Sequence, residues 1–455
     1  MTPNGSSAKW RAYPAALIGL GVIAACLWIA LAHEKAQRPL GGVSSGAPII
    51  SQGVAAIGAD LWHAAGYDGS GITVAVWDFG FHGYQALLGH ELPAAERVTT
   101  RGFGLPISGD PQEDPEDAAH GTAVAEIVHD VAPGAMLYLV ATDTDDDAVE
   151  ALDWLIDESV DIVVASISVE DYCIDVGASR YEPVLERMRG AGILVVVASG
   201  NEGLSHWQGR FTDADGDDLH EYGSGDEGLE IELSRGDSID VILQWDDPCR
   251  PSENDFILRV VDHRGRTVAE GDYDNAVDGP YEDVYADAPR DGVYAIEIER
   301  YSGDGDVLLD LVWNNGPEFE RAMREGSVSY FRPAVSPHVM TVGAVNWRTF
   351  ELESTSSGGP TKDGRIKPDL VAPTCVVSAT YGGRPSEYIE YECGFEGTSA
   401  AAPHAAGAAA LVKQAFPHYA AADLQTYLET HAVDMGTEGK DNTYGAGRLL
   451  LPAPP

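Results

Sequence analysis

The sequence predicts an α/β fold: a parallel sheet with helices on both faces, interrupted by an inserted antiparallel β-sandwich. Three observations predict it. From Ile57 to about residue 204, short β-branched runs alternate with helix-patterned stretches, as in a sheet buried on both sides. Between about residues 205 and 326 the pattern drops to period two, punctuated by turn residues. The strand–helix pattern then resumes at Met340-Thr341-Val342-Gly343-Ala344-Val345.

Composition bounds the function classes. A chain of 455 residues has room for more than one core, and 44% hydrophobic content with 51 Gly argues a folded protein rich in tight turns. Its 73 Asp+Glu against 28 Lys+Arg give a formal net charge of −45. That weighs against nucleic-acid or anionic-membrane binding through a basic patch and favours solubility in salt.

The elements follow in order. Residues 1–32 read as a signal peptide or an N-terminal membrane anchor. Lys9 and Arg11 precede an uncharged run from Ala15 to Ala32, and Ala30-Leu31-Ala32 fits a small-x-small cleavage site. In both readings the bulk of the chain is extracytoplasmic, secreted or, if the segment stays uncleaved, held at the membrane by it. Residues 33–52 are polar with Pro and Gly, a linker too short to fold alone. Beyond the segment lie Cys173, Cys249, Cys375 and Cys393, an even number that in an exported protein predicts disulfides. Cys375–Cys393 is the preferred bridge, because it closes a short loop just ahead of Ser399. No Cys/His spacing suggests zinc.

The run Ile72–Trp77 predicts a strand that ends at Asp78-Phe79-Gly80. A helix pattern starts at His120, a strand follows over Met136–Ala141, and Asp147–Ser159 has helical periodicity with acidic residues in its first turn. Asp161–Ser168 and Ile193–Ala198 are apolar runs separated by a helix around Tyr181–Arg189. In the second pattern the candidate strands are Leu229–Ser234, Ser238–Trp245, Asp255–Asp262, Val293–Arg300 and Val307–Trp313. The chain closes with a small-residue helix at Ser399 and an amphipathic helix near Ala422–Thr430.

In an open parallel sheet, catalytic groups gather at the carboxyl ends of strands. Asp78 ends one strand, Asn201 follows another, and His120 and Ser399 stand at helix starts. Together they offer a hydroxyl nucleophile, an imidazole base, a carboxylate to fix its tautomer and an amide donor for an oxyanion. Each has a plainer local reading: Asp78 and Asn201 as turn formers, His120 and Ser399 as helix caps.

Three blocks tip the balance: Val74-Ala75-Val76-Trp77-Asp78, His120-Gly121-Thr122, and Gly397-Thr398-Ser399-Ala400 with Pro403-His404. In the order Asp, His, Ser they resemble the subtilisin-like serine peptidases, the subtilases. Val131-Ala132-Pro133-Gly134-Ala135, Gly200-Asn201-Glu202-Gly203, the run Asp363–Pro373 and Tyr444-Gly445-Ala446-Gly447 add to the resemblance. It covers roughly residues 50–204 and 327–450, and implies a peptidase domain over 53–204 and 327–450 with an inserted domain over 205–326. Carried over, Ser399 is the nucleophile, His120 the general base and then acid, Asp78 its orienting carboxylate, and Asn201 the oxyanion donor. Ser166, Ile167, Ser168, Gly200 and Glu202 fall at the expected substrate-binding positions. Phe79 stands where the family has a small hydroxyl residue, Ala123 where a second His is common, and Ser168 where Gly is usual.

The implied activity is an extracytoplasmic serine endopeptidase acting on protein or peptide substrates, with no cofactor needed for the chemistry. Carboxylates at Glu202, Glu170, Asp171 and Asp143 to Asp147 suggest a preference for basic residues near the scissile bond; a solvated acidic face is the plainer alternative. The insert resembles the pre-peptidase C-terminal type of β-sandwich. In it, Asp213, Asp215 and Asp217 offer alternate carboxylates for a structural Ca²⁺, against the reading of a metal-free acidic turn. The rival from another class is a non-catalytic binding protein on a peptidase scaffold, with the insert carrying recognition. Nothing in the sequence speaks to oligomeric state.

Overall fold

The computed structural model describes residues 47–110, 115, 117–168, 179–223, 225–249, 251–314, 316–318, 321–329, 332–382 and 393–455. The expected signal or anchor, most of the linker, and Glu170, Asp171 and Cys173 lie outside them. Among the described residues no helix is long and apolar enough to cross a membrane.

The strands are β1 (Thr73–Asp78), β2 (Val98–Phe103), β3 (Met136–Thr142), β4 (Ile162–Ala165), β5 (Leu194–Ala198), β6 (His206–Arg210), β7 (Leu229–Leu233) and β8 (Ser238–Trp245). They continue as β9 (Asp255–Asp262), β10 (Thr267–Gly271), β11 (Tyr281–Asp287), β12 (Gly292–Ser302), β13 (Leu308–Trp313), β14 (Met340–Asn346) and β15 (Leu370–Thr374). Helices are α1 (Gly53–Ala56), α2 (Ala59–Ala64), α3 (Tyr84–Leu87), α4 (His120–Val131), α5 (Asp145–Asp157), α6 (Glu182–Gly190), α7 (Asn275–Asp278), α8 (Thr398–Ala415) and α9 (Ala421–His431).

A seven-stranded sheet runs in the order β15-β14-β5-β4-β1-β3-β2, and its pairings are parallel. Its central strands are apolar throughout because helices cover both faces: Val74, Val76, Val163, Val164 and Val195 to Ala198 are fully buried. α8 lies against this sheet, buried from Thr398 to Val412. Its small residues permit close approach: a methyl at Gly407 would sit 2.6 Å from Val131 Cβ on α4. α4 and α8, the helices that begin at His120 and just before Ser399, are thus packed directly on one another.

The insert forms two antiparallel four-stranded sheets, β10-β9-β12-β7 and β11-β8-β13-β6, around a core of their own that includes Trp245, Phe256, Leu258, Ile296 and Leu311. β7, β8, β9, β12 and β13 fall where the alternation places them. β2, β6, β10, β11 and β15 are additions. β11 escapes the pattern because its inward Glu282 is polar yet fully buried, accepting from the Tyr273 N–H and Asn275 Nδ2. α5 starts earlier than its periodicity suggests, at a capping box in which Thr144 and Asp147 satisfy each other's backbone N–H groups.

The end of the expected linker is docked. The Ser51 N–H donates to Asp130 Oδ2 on α4 at 2.7 Å, and Ser51 Oγ lies 2.8 Å from His404 Nε2 on α8. Gly53 packs so tightly on that ring that a methyl there would lie 1.9 Å from Nε2.

Candidate active site

β1 delivers Asp78 to the carboxyl edge of the sheet, where it is fully buried. His120, the first residue of α4, meets it through Nδ1, 2.9 Å from Oδ2 and 3.1 Å from Oδ1. An ionised carboxylate only accepts, so Nδ1 carries the proton and Nε2 is the basic nitrogen of the neutral ring. That Nε2 is buried and has no hydrogen-bond partner among the described residues. Phe395 stands edge-on to the imidazole, with centroids 5.6 Å apart at 84°. Gly121 makes the pairing sterically feasible: a methyl there would lie 2.7 Å from Asp78 Cβ and 2.6 Å from the Gly80 carbonyl oxygen. Thr122 Oγ1 donates to the His82 carbonyl at 3.0 Å and pins the first turn. Phe79 brings no hydroxyl to Asp78; its backbone N–H donates to Asp78 Oδ1 at 2.9 Å.

The nucleophile candidate sits at the start of α8, after Gly397 has turned the chain with φ +79°. Ser399 is 8% exposed. Its hydroxyl donates to the Ser166 carbonyl at 3.2 Å, while Ser166 Oγ donates to the Ser399 carbonyl at 3.1 Å. At rest the hydroxyl is therefore held by the end of β4 and not by the imidazole. Asn201 is clamped by Thr398, whose N–H and hydroxyl donate to its side chain at 3.0 and 3.1 Å. A backbone N–H can only donate, so the atom facing it is Oδ1, and Nδ2 is left to donate elsewhere. Thr398 Oγ1 also accepts from the Gly200 N–H at 3.2 Å. Sequence reading missed this role of Thr398; its only signal was adjacency to Ser399. Gly397 is required here too, since a methyl would sit 3.0 Å from Asn201 Oδ1.

The expected substrate-binding residues divide. Ser166 and Gly200 face the site as above. Ile167 is fully buried and belongs to the main core, so it has only backbone to offer, and Ser168 is 7% exposed. Glu202 corrects the expectation of a cleft carboxylate. It is 3% exposed and accepts from Ser357 Oγ at 2.9 Å, its N–H donating back to that oxygen at 3.0 Å. Burial pushes Glu202 up to about 7 against the pull of Ser357 and nearby backbone N–H groups. Asp145, Asp146 and Asp147 are engaged as well, with Tyr181, Arg180 and the Thr144 cap.

The carboxylates of Asp213, Asp215 and Asp217 approach within 4.8 Å of one another. One of the three, Asp213, is already engaged. Asp213 accepts from the N–H groups of Gly216, Asp217 and Asp218 at 2.7, 3.2 and 3.2 Å, and Arg300 Nη2 pairs with it at 3.2 Å. At Asp213 the guanidinium already supplies a positive charge, as in the alternative of a metal-free acidic turn. The preferred disulfide, Cys375–Cys393, is present, and Cys249 is disulfide-bonded as well.

The sequence profile of the subtilase family, peptidase S8, matches residues 69–225 and 311–447. The chain is 36% identical over 196 residues to subtilisin Savinase of Lederbergia lenta, covering 35% of this chain and 66% of that protein. An alkaline protease of Alkalihalobacillus alcalophilus is also 36% identical over 196 residues, with 35% of this chain and 47% of the relative covered. The chain thus spans between about half and two thirds of the length of these relatives. The CspB protease structure of Clostridium perfringens superposes with a TM-score of 0.61 over 88% of this chain and 97% of that one, at 19% identity, a likeness of fold. The matched residues include Asp78, His120, Asn201 and Ser399 and run into the first and last strands of the β-sandwich, β6 and β13, and the chain belongs to the subtilase family.

Proposed function

We propose that this protein is an extracytoplasmic serine endopeptidase. The observation that carries the reading is the His120 ring, fixed by Asp78 through Nδ1 while Nε2 is buried and unpaired near the start of α8. In this reading Ser399 Oγ leaves the Ser166 carbonyl, gives its proton to His120 Nε2 and attacks the scissile carbonyl carbon. The oxyanion accepts from Asn201 Nδ2 and the Ser399 N–H, and Asp78 stabilises the imidazolium. The proton passes to the leaving amine, and a water repeats the sequence to free the acyl group. No cofactor enters these steps. Proteins or peptides are the substrates.

Export is supported by the Cys375–Cys393 disulfide, a bond that persists in oxidising compartments, together with the uncharged run from Ala15 to Ala32. In the same reading residues 205–326 form a separate inserted domain.

A fluorophosphonate probe tests the chemistry. The folded protein should label, Ser399→Ala should not, and that variant should lose about 10⁶ in turnover, a magnitude taken from subtilisin's own triad. Labelling that persists in Ser399→Ala would remove Ser399 as nucleophile. Folded wild-type protein that never labels would favour the non-catalytic binding reading.

A further inference from the structure

Directly after the Asn201 loop the chain enters the sandwich at His206, and there insert and body are joined by charge. His206 is fully buried. Its Nδ1 lies 2.8 Å from the Met323 carbonyl oxygen and its Nε2 lies 2.8 Å from Asp310 Oδ1 on β13. Burial would raise the Asp310 carboxyl, but Lys362 and His206 outweigh it and hold it well below the usual carboxylate range. Both partners of the ring are therefore pure acceptors, and His206 carries both protons as a cation. Asp310 Oδ2 also accepts from Gln208 Nε2 at 3.1 Å and pairs with Lys362, which the body supplies from the turn after Pro360.

Toward the Asn201 loop the tie is made by backbone, the Ser205 N–H donating to the Glu202 carbonyl at 3.1 Å. Glu202 and its neighbours are held by Ser357. That residue exchanges two hydrogen bonds with Glu202 and donates its own N–H to the Gly200 carbonyl at 2.9 Å. The contacts of Ser205, His206, Asp310 and Lys362 thus run from the Asn201 loop through the entry and exit strands of the sandwich and back into the body. The Met323 N–H, donating to the His206 carbonyl at 2.8 Å, ties the exit of the insert to its entry. A buried cation between two acceptors holds its neighbours to one geometry, because removing either partner leaves a charge stranded.

We propose that His206 is a positioning residue for the oxyanion donor, so that the seating of the β-sandwich sets the aim of Asn201. It follows that displacing the sandwich slows acyl transfer without touching Asp78, His120 or Ser399. This inference rests on the peptidase reading above.

The test is a double-mutant cycle on the full chain, with a chromogenic peptide ester as substrate and a peptide boronate as oxyanion-seeking inhibitor. His206→Gln keeps a donor toward Asp310 and removes the charge. It should lower kcat about tenfold with KM unchanged and weaken the boronate in parallel. In an Asn201→Ala background the same substitution should cost nothing further, whereas a merely structural role gives losses that add. Lys362→Gln, made from the body side, should show a smaller loss with the same dependence on Asn201, and it decides the matter if His206→Gln does not fold. Unchanged kcat in a folded variant, or additive losses, overturns the inference while the peptidase reading stands. Wild-type protein that neither turns over nor labels with fluorophosphonate overturns both.

Discussion

At Gly121 a single hydrogen decides whether Asp78 and His120 can meet. A methyl in its place would come within 2.7 Å of Asp78 Cβ and 2.8 Å of the Phe81 ring, and its nearest neighbour is the Gly80 carbonyl, which cannot rotate away. Gly121→Ala should destabilise the protein by about 1–3 kcal/mol through overpacking, and should lower kcat more than KM as Asp78 and His120 part. Thermal melts and steady-state kinetics on one preparation check it; wild-type kcat would mean the contact relaxes harmlessly. At this scale the sequence was informative where a residue's role is set by its immediate neighbours. Asp78, His120 and Ser399 are each placed by the end of a strand or the start of a helix, and the short motifs around them carry that information. Glu202 was misread for the converse reason. Its carboxylate is satisfied by Ser357, 155 residues away in sequence, and nothing local announces a partner that distant.

Elements show the same division. β1 and α8 were readable because burial on every side demands continuous apolar or small residues. β11 was not, since its buried Glu282 is matched by Asn275 at the start of α7. The segment that leads into α8 is held by more than its helix. Phe395, whose ring stands against His120, exchanges backbone hydrogen bonds with Val376 at 2.8 and 3.0 Å, between the two bridged cysteines. Glu126 on α4 ties down the following stretch, accepting from the Ala379 N–H at 2.5 Å and the Thr380 N–H at 3.1 Å. Replacing Cys375 and Cys393 by Ala opens a bridge spanning 18 residues. The loss should be about 3 kcal/mol in denaturant unfolding, with a fall in kcat as Phe395 loosens. A double variant as stable as wild type would show that the backbone pairing alone secures this segment.

For the whole molecule, charge sets the response to pH. Burial, opposed by hydrogen bonds, pushes Glu126 up to about 7, Glu202 up to about 7 and Glu282 up to about 8. A carboxyl raised in the folded state contributes stability that is complete below its unfolded value of about 4.5 and is lost as pH rises through its folded value. The net charge of −45 acts in the same direction, since each ionised carboxylate adds to self-repulsion. Buried His129, His220 and His404, pushed down to about 4, add stability as pH rises toward 6.5, so Tm should fall between about pH 6.5 and pH 8. Salt should restore the part due to surface repulsion and leave the part due to buried carboxyls, because buried groups are screened far less. Glu126→Gln and Glu282→Gln should flatten that remainder; a Tm that rises over this range would contradict the assignment.

The hydrogen bond between Met323 and His206 also bears on the order in which the chain assembles. β5 and β14 are neighbours in the parallel sheet, yet the entire β-sandwich lies between them in sequence. Because the sandwich has its own core and its two ends meet, once formed it shortens the span that must close before β14 can find β5. Closure entropy grows with the length of free chain, so a sandwich that folds late leaves β14, β15 and α8 waiting for a partner. The helix that bears Ser399 is then downstream of the insert in time as well as in sequence.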